Sequence, residues 1–306
     1  MRYSRTGIII ALVGAEIFIA GAILAALGGH HAWASASEVH GTAFSPRAVE
    51  PIDAGPAPKI EIDDSASTVT VGVSSDGRVH VSDNTSYGGA AFSSRAPAQL
   101  SVERTPDGVR ISRADSGNTW IALFGWFDRR ISVDVPQGSS VDITACSGAD
   151  VSGLSGLLRV RSDDGEISAR DLTGDVALHT SDGNINLTNV RAKNLTLSTD
   201  DGHLHLSDVA VDSIDASTND GSINGDRLQL TNGNLHTQDG SIELAFAQSN
   251  VLIHAHTDDG SVSFDGRKSN SDDDDSTADF HIGAGGGALQ VATNDGDIHI
   301  LTNGAQ

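Results

Sequence analysis

The chain is 306 residues long and carries 41 Asp+Glu against 19 Lys+Arg, a formal charge of −22. That balance excludes a nucleic-acid partner, because phosphate binding needs a basic face. A 38% apolar share excludes simple disorder, and the single cysteine, Cys146, excludes an intrachain disulfide framework or a Cys-rich metal site.

Residues 1–36 read as an export segment. Arg2 and Arg5 precede an apolar run over 7–29 that only Glu16 interrupts. Basic residues before such a run, with none clustered after it, hold the N-terminus in the cytoplasm and export the rest. The run is long enough to span a bilayer as a helix, yet Ala34-Ser35-Ala36 also fits a small-x-small cleavage site. The segment is therefore a signal anchor or a signal peptide. The first gives a single-pass bacterial inner-membrane protein with its C-terminal domain outside the cytoplasm; the second gives a secreted or periplasmic one. Glu16 would cost about 2.5–3.5 kcal/mol at mid-bilayer; it is a tolerated charge or a polar contact to another membrane helix. Residues 37–58 hold Pro46, Pro51, Pro56 and Pro58 and read as an extended linker.

From there apolar and polar residues alternate. Over 59–140 the runs Ile60-x-Ile62, Val69-x-Val71-x-Val73, Val79-x-Val81, Leu100-x-Val102, Val109-x-Ile111 and Ile131-x-Val133-x-Val135 predict strands at irregular spacing. This β-rich section reads as continuous with the residues after 140 and as their cap, since the end units of a repeat must shield an open end. Trp120, Phe124, Trp126 and Phe127 cluster within it. They are read as a plug over that end, or as an exposed adhesive or membrane-facing patch.

Residues 141–304 carry the repeat. Asp-Gly recurs with glycine at 165, 183, 202, 221, 240, 260 and 296, at first in steps of 18 to 20 residues. One unit reads Val176-x-Leu178-x-Thr180-x-Asp182-Gly183-x-Ile185-x-Leu187, then Val190. The next reads Leu195-x-Leu197-x-Thr199-x-Asp201-Gly202-x-Leu204-x-Leu206, then Val209. Strict alternation on both sides of Asp-Gly predicts two strands with one buried face, and no stretch between them has a helical period. The expected fold is all-β: a parallel β-solenoid, or single-stranded β-helix, of about 18–20 residues per coil. A leucine-rich repeat is rejected, for its Asn/Cys ladder position and helical return segment are missing. Glycine at the corner is expected to supply a positive φ, and Asp to bond its own downstream backbone. The longer step from Gly260 to Gly296 predicts an inserted acidic loop over 266–279, with Phe280-x-Ile282 and Leu289-x-Val291-x-Thr293 resuming the coil.

The stretch Ile131-Ser-Val-Asp-Val-Pro136-Gln-Gly138, then Val141-x-Ile143 and repeated Thr/Ser-x-Asp-Gly-x-Ile units, resembles the bacterial putative-adhesin family of β-solenoid domains. The resemblance covers roughly 60–304. It implies an exported repetitive β-domain and an adhesive role, and it carries over no catalytic residue. This chain departs in using Asp-Gly where relatives commonly show Ser-Gly.

Stacked coils would align Asp164, Asp182, Asp201, Asp220, Asp239 and Asp259 in one column, with Asp163, Asp200 and Asp258 in a second. Carboxylates about 4.8 Å apart repel by about 0.9 kcal/mol in water, or about 4 kcal/mol over five neighbouring pairs. Either backbone bonding outweighs this, or cations sit weakly along the ridge, Ca²⁺ being the oxygen-seeking choice. Thr180, Thr199, Thr218, Thr237, Thr257 and Thr293 share the inward parity, so their hydroxyls should bond neighbouring backbone. His203, His205, His254 and His256 should face solvent, and His236 should neighbour His256 on the adjacent coil. Neither a nucleophile motif, nor a phosphate loop, nor a paired-acid site appears, so no catalytic, cofactor or metal residue is assigned. The sequence reads as a non-enzymatic exported envelope module binding protein or carbohydrate. The alternatives are a membrane-anchored regulatory or sensory protein that binds another protein, and, less favoured, a polysaccharide-acting β-helix enzyme.

Overall fold

The computed structural model describes residues 37–40, 47–93, 100–113, 120–247, 249–268 and 276–302. They fall into two compact units, one made of the described residues within 46–84, 100–113 and 129–306, the other of those within 1–45, 85–99 and 114–128. The expected N-terminal helix lies outside the described residues; among those described, no helix is long and apolar enough to cross a membrane.

The chain is all-β and its sheet largely parallel, as the alternation requires. In the larger unit every coil runs one strand into a corner and a second strand out of it. Leu158–Ser162, the corner 163–166 and Ile167–Leu172 make one such layer. Successive layers pair in parallel: Leu178 lies beside Leu197, Leu197 beside Ala216 and Ala216 beside Leu235 on the first face. On the second face Ile167, Ile185, Leu204, Ile223 and Ile242 align. These side chains are at most 2% exposed. A single coil could not shield them; stacking does, and each buried Leu or Ile contributes about 1.5–3 kcal/mol.

The order of layers departs from the order of sequence at both ends. At the N-terminal end Lys59–Asp63 and Thr68–Val73 lie directly against the layer of Ser140–Cys146 and Ala149–Ser152. Outside them lie two later strands, Gly108–Arg113 and Arg130–Val135. Antiparallel strands Leu100–Thr105 and His80–Asp83 close that end. Part of the stretch read as linker takes part as well, for Arg47–Ala48 pairs with His80–Asp83 and Ile52 bridges Val79.

The C-terminal end corrects the sequential stacking expected from the repeat. Gly287–Asp295 and Ile298–Thr302 slot between the layer ending in Ile242–Phe246 and the layer of Val251–Asp259 and Val262–Phe264. The last layer in sequence is thus the penultimate one in space. His236 and His256 are therefore separated by Ala292, and the acidic column runs Asp239, Asp295, Asp259. The stretch 266–279 is likewise more than a loop. Arg267–Lys268 and Ser276–Ile282 pair antiparallel with Val262–Phe264 and Val251–Asp259, and Phe280 stacks on Phe264 with ring centroids 4.8 Å apart. Phe280-x-Ile282 consequently belongs to a capping edge strand, not to a resumed coil. The four aspartates at 272–275 lie outside the described residues.

The smaller unit is a three-stranded antiparallel sheet of Ser37–His40, Ser86–Ser93 and Trp120–Asp128, in that order. The aromatic cluster falls on its last strand, with side chains outside the described set.

Candidate interaction surface

The Thr-x-Asp-Gly corner is a ladder running along the stack. Thr199 Oγ1 donates to the Gly183 carbonyl at 3.0 Å and accepts the Gly202 N–H at 3.2 Å. Thr218 repeats this with Gly202 and Gly221, and Thr180, Thr237, Thr293 and Thr257 donate to glycines 165, 221, 240 and 296. The expectation that these hydroxyls bond neighbouring backbone is met in all six. Two successive corner N–H groups also converge on one carbonyl of the layer before, as Asp200 and Asp201 do on Ser181.

The glycine's role differs from the expected one. Its φ is not in the left-handed region. What matters is contact: a Cβ on Gly221 would sit 1.8 Å from the Gly202 carbonyl oxygen, and the same holds along the column at 1.9–2.4 Å. In this corner column the aspartates at 164, 182, 201, 220, 239, 259 and 295 stand exposed and make no side-chain hydrogen bond to a described residue, so they do not brace their own turns. Among the described residues, no three His, Cys, Asp or Glu converge to hold a metal ion.

A second bend was not read from the sequence. Asp171, Asn189, Asp208 and Arg227 stack in one column, each with φ between 53° and 57°. One left-handed residue shifts the alternation, so that Leu187 is followed inward by Val190. Asp and Asn tolerate this conformation best, and their recurrence before Leu172, Val190 and Val209 was the available signal. Their side chains cross-link layers: Asn189 donates to Asp171 at 2.6 Å, and the Arg227 guanidinium grips Asp208, holding that carboxyl below its usual range. Asp175 is held down similarly, by the side-chain and backbone N–H groups of Asn194, and Asp297 by the hydroxyl and N–H of Ser261.

The outward side of the second face carries an open depression of about 520 Å³ lined by 12 residues, including His205, Asn224, Asp226, Glu243, Ala245 and Leu301. It forms where Ile223–Thr237 bulges past Ile242–Phe246 between Gly225 and Leu228. Arg227 takes the left-handed bend there, while the next layer has no left-handed residue opposite it. His205, Asn224 and Glu243 occupy equivalent positions on consecutive layers, and none makes a side-chain hydrogen bond to another described residue. Their row neighbours are engaged, Asn186 with Glu166 and His299 with Ser263. A smaller hollow of about 370 Å³ on the first face is instead filled with internal pairs, for Arg110 and Lys59 both hold Glu61. Of the other histidines, His254 contacts Asp279 at 2.6 Å and His256 contacts Thr277 and Asp258 at 3.0 Å. His203 accepts the Ser222 N–H.

These features define a parallel β-solenoid whose buried corner threonines are taken up by its own ladder and whose second face carries a row of polar side chains without a hydrogen-bonded partner among the described residues. The family described as Toastrack DUF4097 matches residues 57–301, and the chain belongs to it. A search of curated proteins returns no match. Among solved structures, the chain is similar to a putative adhesin from Parabacteroides merdae (11% identity, 86% of this chain and 98% of that one, TM-score 0.49). It is also similar to a putative adhesin from Bacteroides fragilis (13%, 86% and 99%, TM-score 0.41). A third is a putative lipid binding protein from Parabacteroides distasonis (13%, 87% and 97%, TM-score 0.46). Identity this low speaks to fold alone, and TM-scores below one half carry no functional argument.

Proposed function

We propose that the chain is a non-enzymatic interaction module of the bacterial cell envelope, held at or exported across the inner membrane by residues 7–29. In this reading the outward second face meets a protein or carbohydrate partner. The observation that supports it is the row His205, Asn224 and Glu243, whose side chains make no hydrogen bond to another described residue and lie beside the apolar Ala245 and Leu301. Donors and acceptors next to a small apolar patch suit a sugar ring or a peptide strand. Neither cofactor nor catalytic residue belongs to this proposal. Binding of the full-length protein to immobilised envelope glycans and envelope proteins tests it. The triple variant His205→Ala, Asn224→Ala, Glu243→Ala should lose about tenfold or more in affinity, roughly one lost hydrogen bond to a charged group, with an unchanged melting midpoint. Equal binding by the variant would move the contact elsewhere. Capture of envelope-stress regulators alone would favour the sensory alternative, and cleavage of an acidic glycan would return the enzyme one.

A further inference from the structure

The C-terminal layer lies between two layers that precede it in the chain. After Ile242–Phe246 the chain skips one layer before laying down Val251–Asp259 and Val262–Phe264, leaving two strand edges that face each other across one strand's width. Residues 287–302 then enter from behind. Leu289, Val291, Ile298 and Ile300 bury fully, and Thr293 Oγ1 bonds the Gly240 carbonyl at 2.8 Å. The layer that ends the described chain is thus bonded on both sides to layers laid down before it.

Its connection is a glycine turn. Gly283, Ala284, Gly285 and Gly286 carry the chain from Ser276–Ile282 on one side of Val251–Asp259 to Gly287–Asp295 on the other. Gly283 and Gly285 have φ of 67° and 68°. The turn wraps closely around Asn250, whose side chain accepts the Ala284 N–H at 2.6 Å and whose carbonyl accepts the Gly287 N–H at 3.0 Å. A Cβ on Gly283 would lie 2.6 Å from the Ser249 carbonyl oxygen. All these demands belong to the closed turn. An extended connection needs no positive φ and no close approach to 249–250.

We infer that residues 287–302 are an exchangeable layer through which two copies of this chain join, each copy's C-terminal layer filling the other's slot. The slot's contacts are the same whichever copy supplies the layer, so exchange costs few of them, and reciprocal filling closes a symmetric dimer. The short turn favours self-filling in dilute solution, because it keeps the layer's own effective concentration high. From Asn194 onward the chain has 19 acidic and 3 basic residues, so copies repel at this end, and added salt should raise the dimer fraction.

Two full-length chains with different tags test this, both carrying Cys146→Ser. One has Asn234→Cys and the other Gln290→Cys, at positions that lie side by side across the slot boundary. In closed monomers these cysteines never meet; in an exchanged pair they do. Mixing at high protein concentration should give a disulfide-linked species carrying both tags. Adding Gly283→Val and Gly285→Val to each chain strains only the closed turn and should raise the exchange constant by about tenfold. A chain with both cysteines serves as geometric control and should close its own disulfide. If the control closes while no tag-crossing species forms, with or without the valines, the inference is overturned. Should the cysteine pair fail to close in the control, light scattering on the valine variant decides: dimer supports exchange, monomer ends it. If the valine variant does not fold, the tag-crossing yield of the unstrained pair decides alone. Ligand binding through the second face plays no part in either readout.

Discussion

The middle of the solenoid and its ends solve different problems with the same strands. From Leu158 to Phe246 each layer adjoins its neighbours in sequence, and one corner is copied with the same hydrogen bonds. At the ends a strand has only one neighbour, and its free backbone groups would recruit another chain. Here the protein abandons sequence order. It lays antiparallel strands Leu100–Thr105 and Ser276–Ile282 on the outside and threads a later or earlier layer inside them. Stacking propagates from local pattern; termination requires long-range arrangement.

The largest effects should come from the middle, where a change meets backbone on both sides. In Gly221→Ala the new methyl would stand 1.8 Å from a carbonyl oxygen that the Thr ladder holds in place. Neither layer can yield without breaking its own bonds, so a loss of about 4 kcal/mol or more is expected in chemical denaturation. Gly225→Ala provides the contrast. Its methyl would meet the Leu228 side chain at 2.5 Å, and a leucine can change rotamer. A cost of about 1–3 kcal/mol is expected. Equal costs would mean that close approach is not what fixes the corner.

At the N-terminal end the comparable feature is a buried ion cluster. Arg113 bridges Asp64 at 2.7 Å and Asp83 at 3.0 Å, with its side chain 5% exposed and those of the two acids 3% and 15%. Asp64 also accepts the Ser67 hydroxyl and the Ala66 N–H. Arg113→Met keeps the volume but leaves two acids without their shared cation, and about 3–5 kcal/mol should be lost. Hydrogen exchange should show where: protection should fall at residues 59–83 and 100–113 while the layers from 176 to 237 keep theirs. Uniform loss would mean that the ends and the middle unfold as one, and the distinction would fall.

Thr218→Val removes one rung of the corner ladder without changing shape. The Gly202 carbonyl loses a donor and the Gly221 N–H loses an acceptor. About 1–3 kcal/mol should be lost. The same change at Thr257, near the capped end, should cost less in global stability if that end opens first.

The same contrast decides how much is legible in the sequence. Alternation around Asp-Gly fixes the strands, the inward residues and the Thr ladder, because each is written within one repeat. Layer order is not local. The coil at 251–264 and the coil at 287–302 carry interchangeable inward patterns, Ile253 with Val262 and Leu289 with Ile298, so periodicity ranks them by sequence alone. The role of the corner glycine was hidden for a related reason, since a contact with the layer below cannot be seen in one coil. The left-handed column was visible as recurring Asp or Asn before an apolar residue, but Arg227 breaks the pattern. The second-face depression had no signal of its own, for it arises from two successive layers that bend differently.

The smallest expected effects concern charge, and they separate the two acid populations. Asp175 and Asp297 are held below the usual carboxylate range by donors from the next layer. Their contribution is present above the ordinary carboxylate pKa near 4 and is lost as pH falls through the lower folded values. Asp175→Asn should therefore flatten the fall in stability on acidification. The exposed column of Asp164, Asp182, Asp201, Asp220, Asp239, Asp295 and Asp259 should act in the opposite sense, since each close pair repels by about 0.9 kcal/mol before screening. Raising sodium chloride from low to physiological strength should then raise the melting midpoint, and Asp201→Asn with Asp220→Asn should reduce that gain. Calcium chloride at matched ionic strength distinguishes screening from binding. Screening alone predicts equal midpoints in the two salts. A surplus with Ca²⁺ that chelator removes would mean that the column gathers cations, although no three of its described carboxylates converge. The column would then belong with the second face as a surface that meets a ligand, and no longer with the corner as a consequence of stacking.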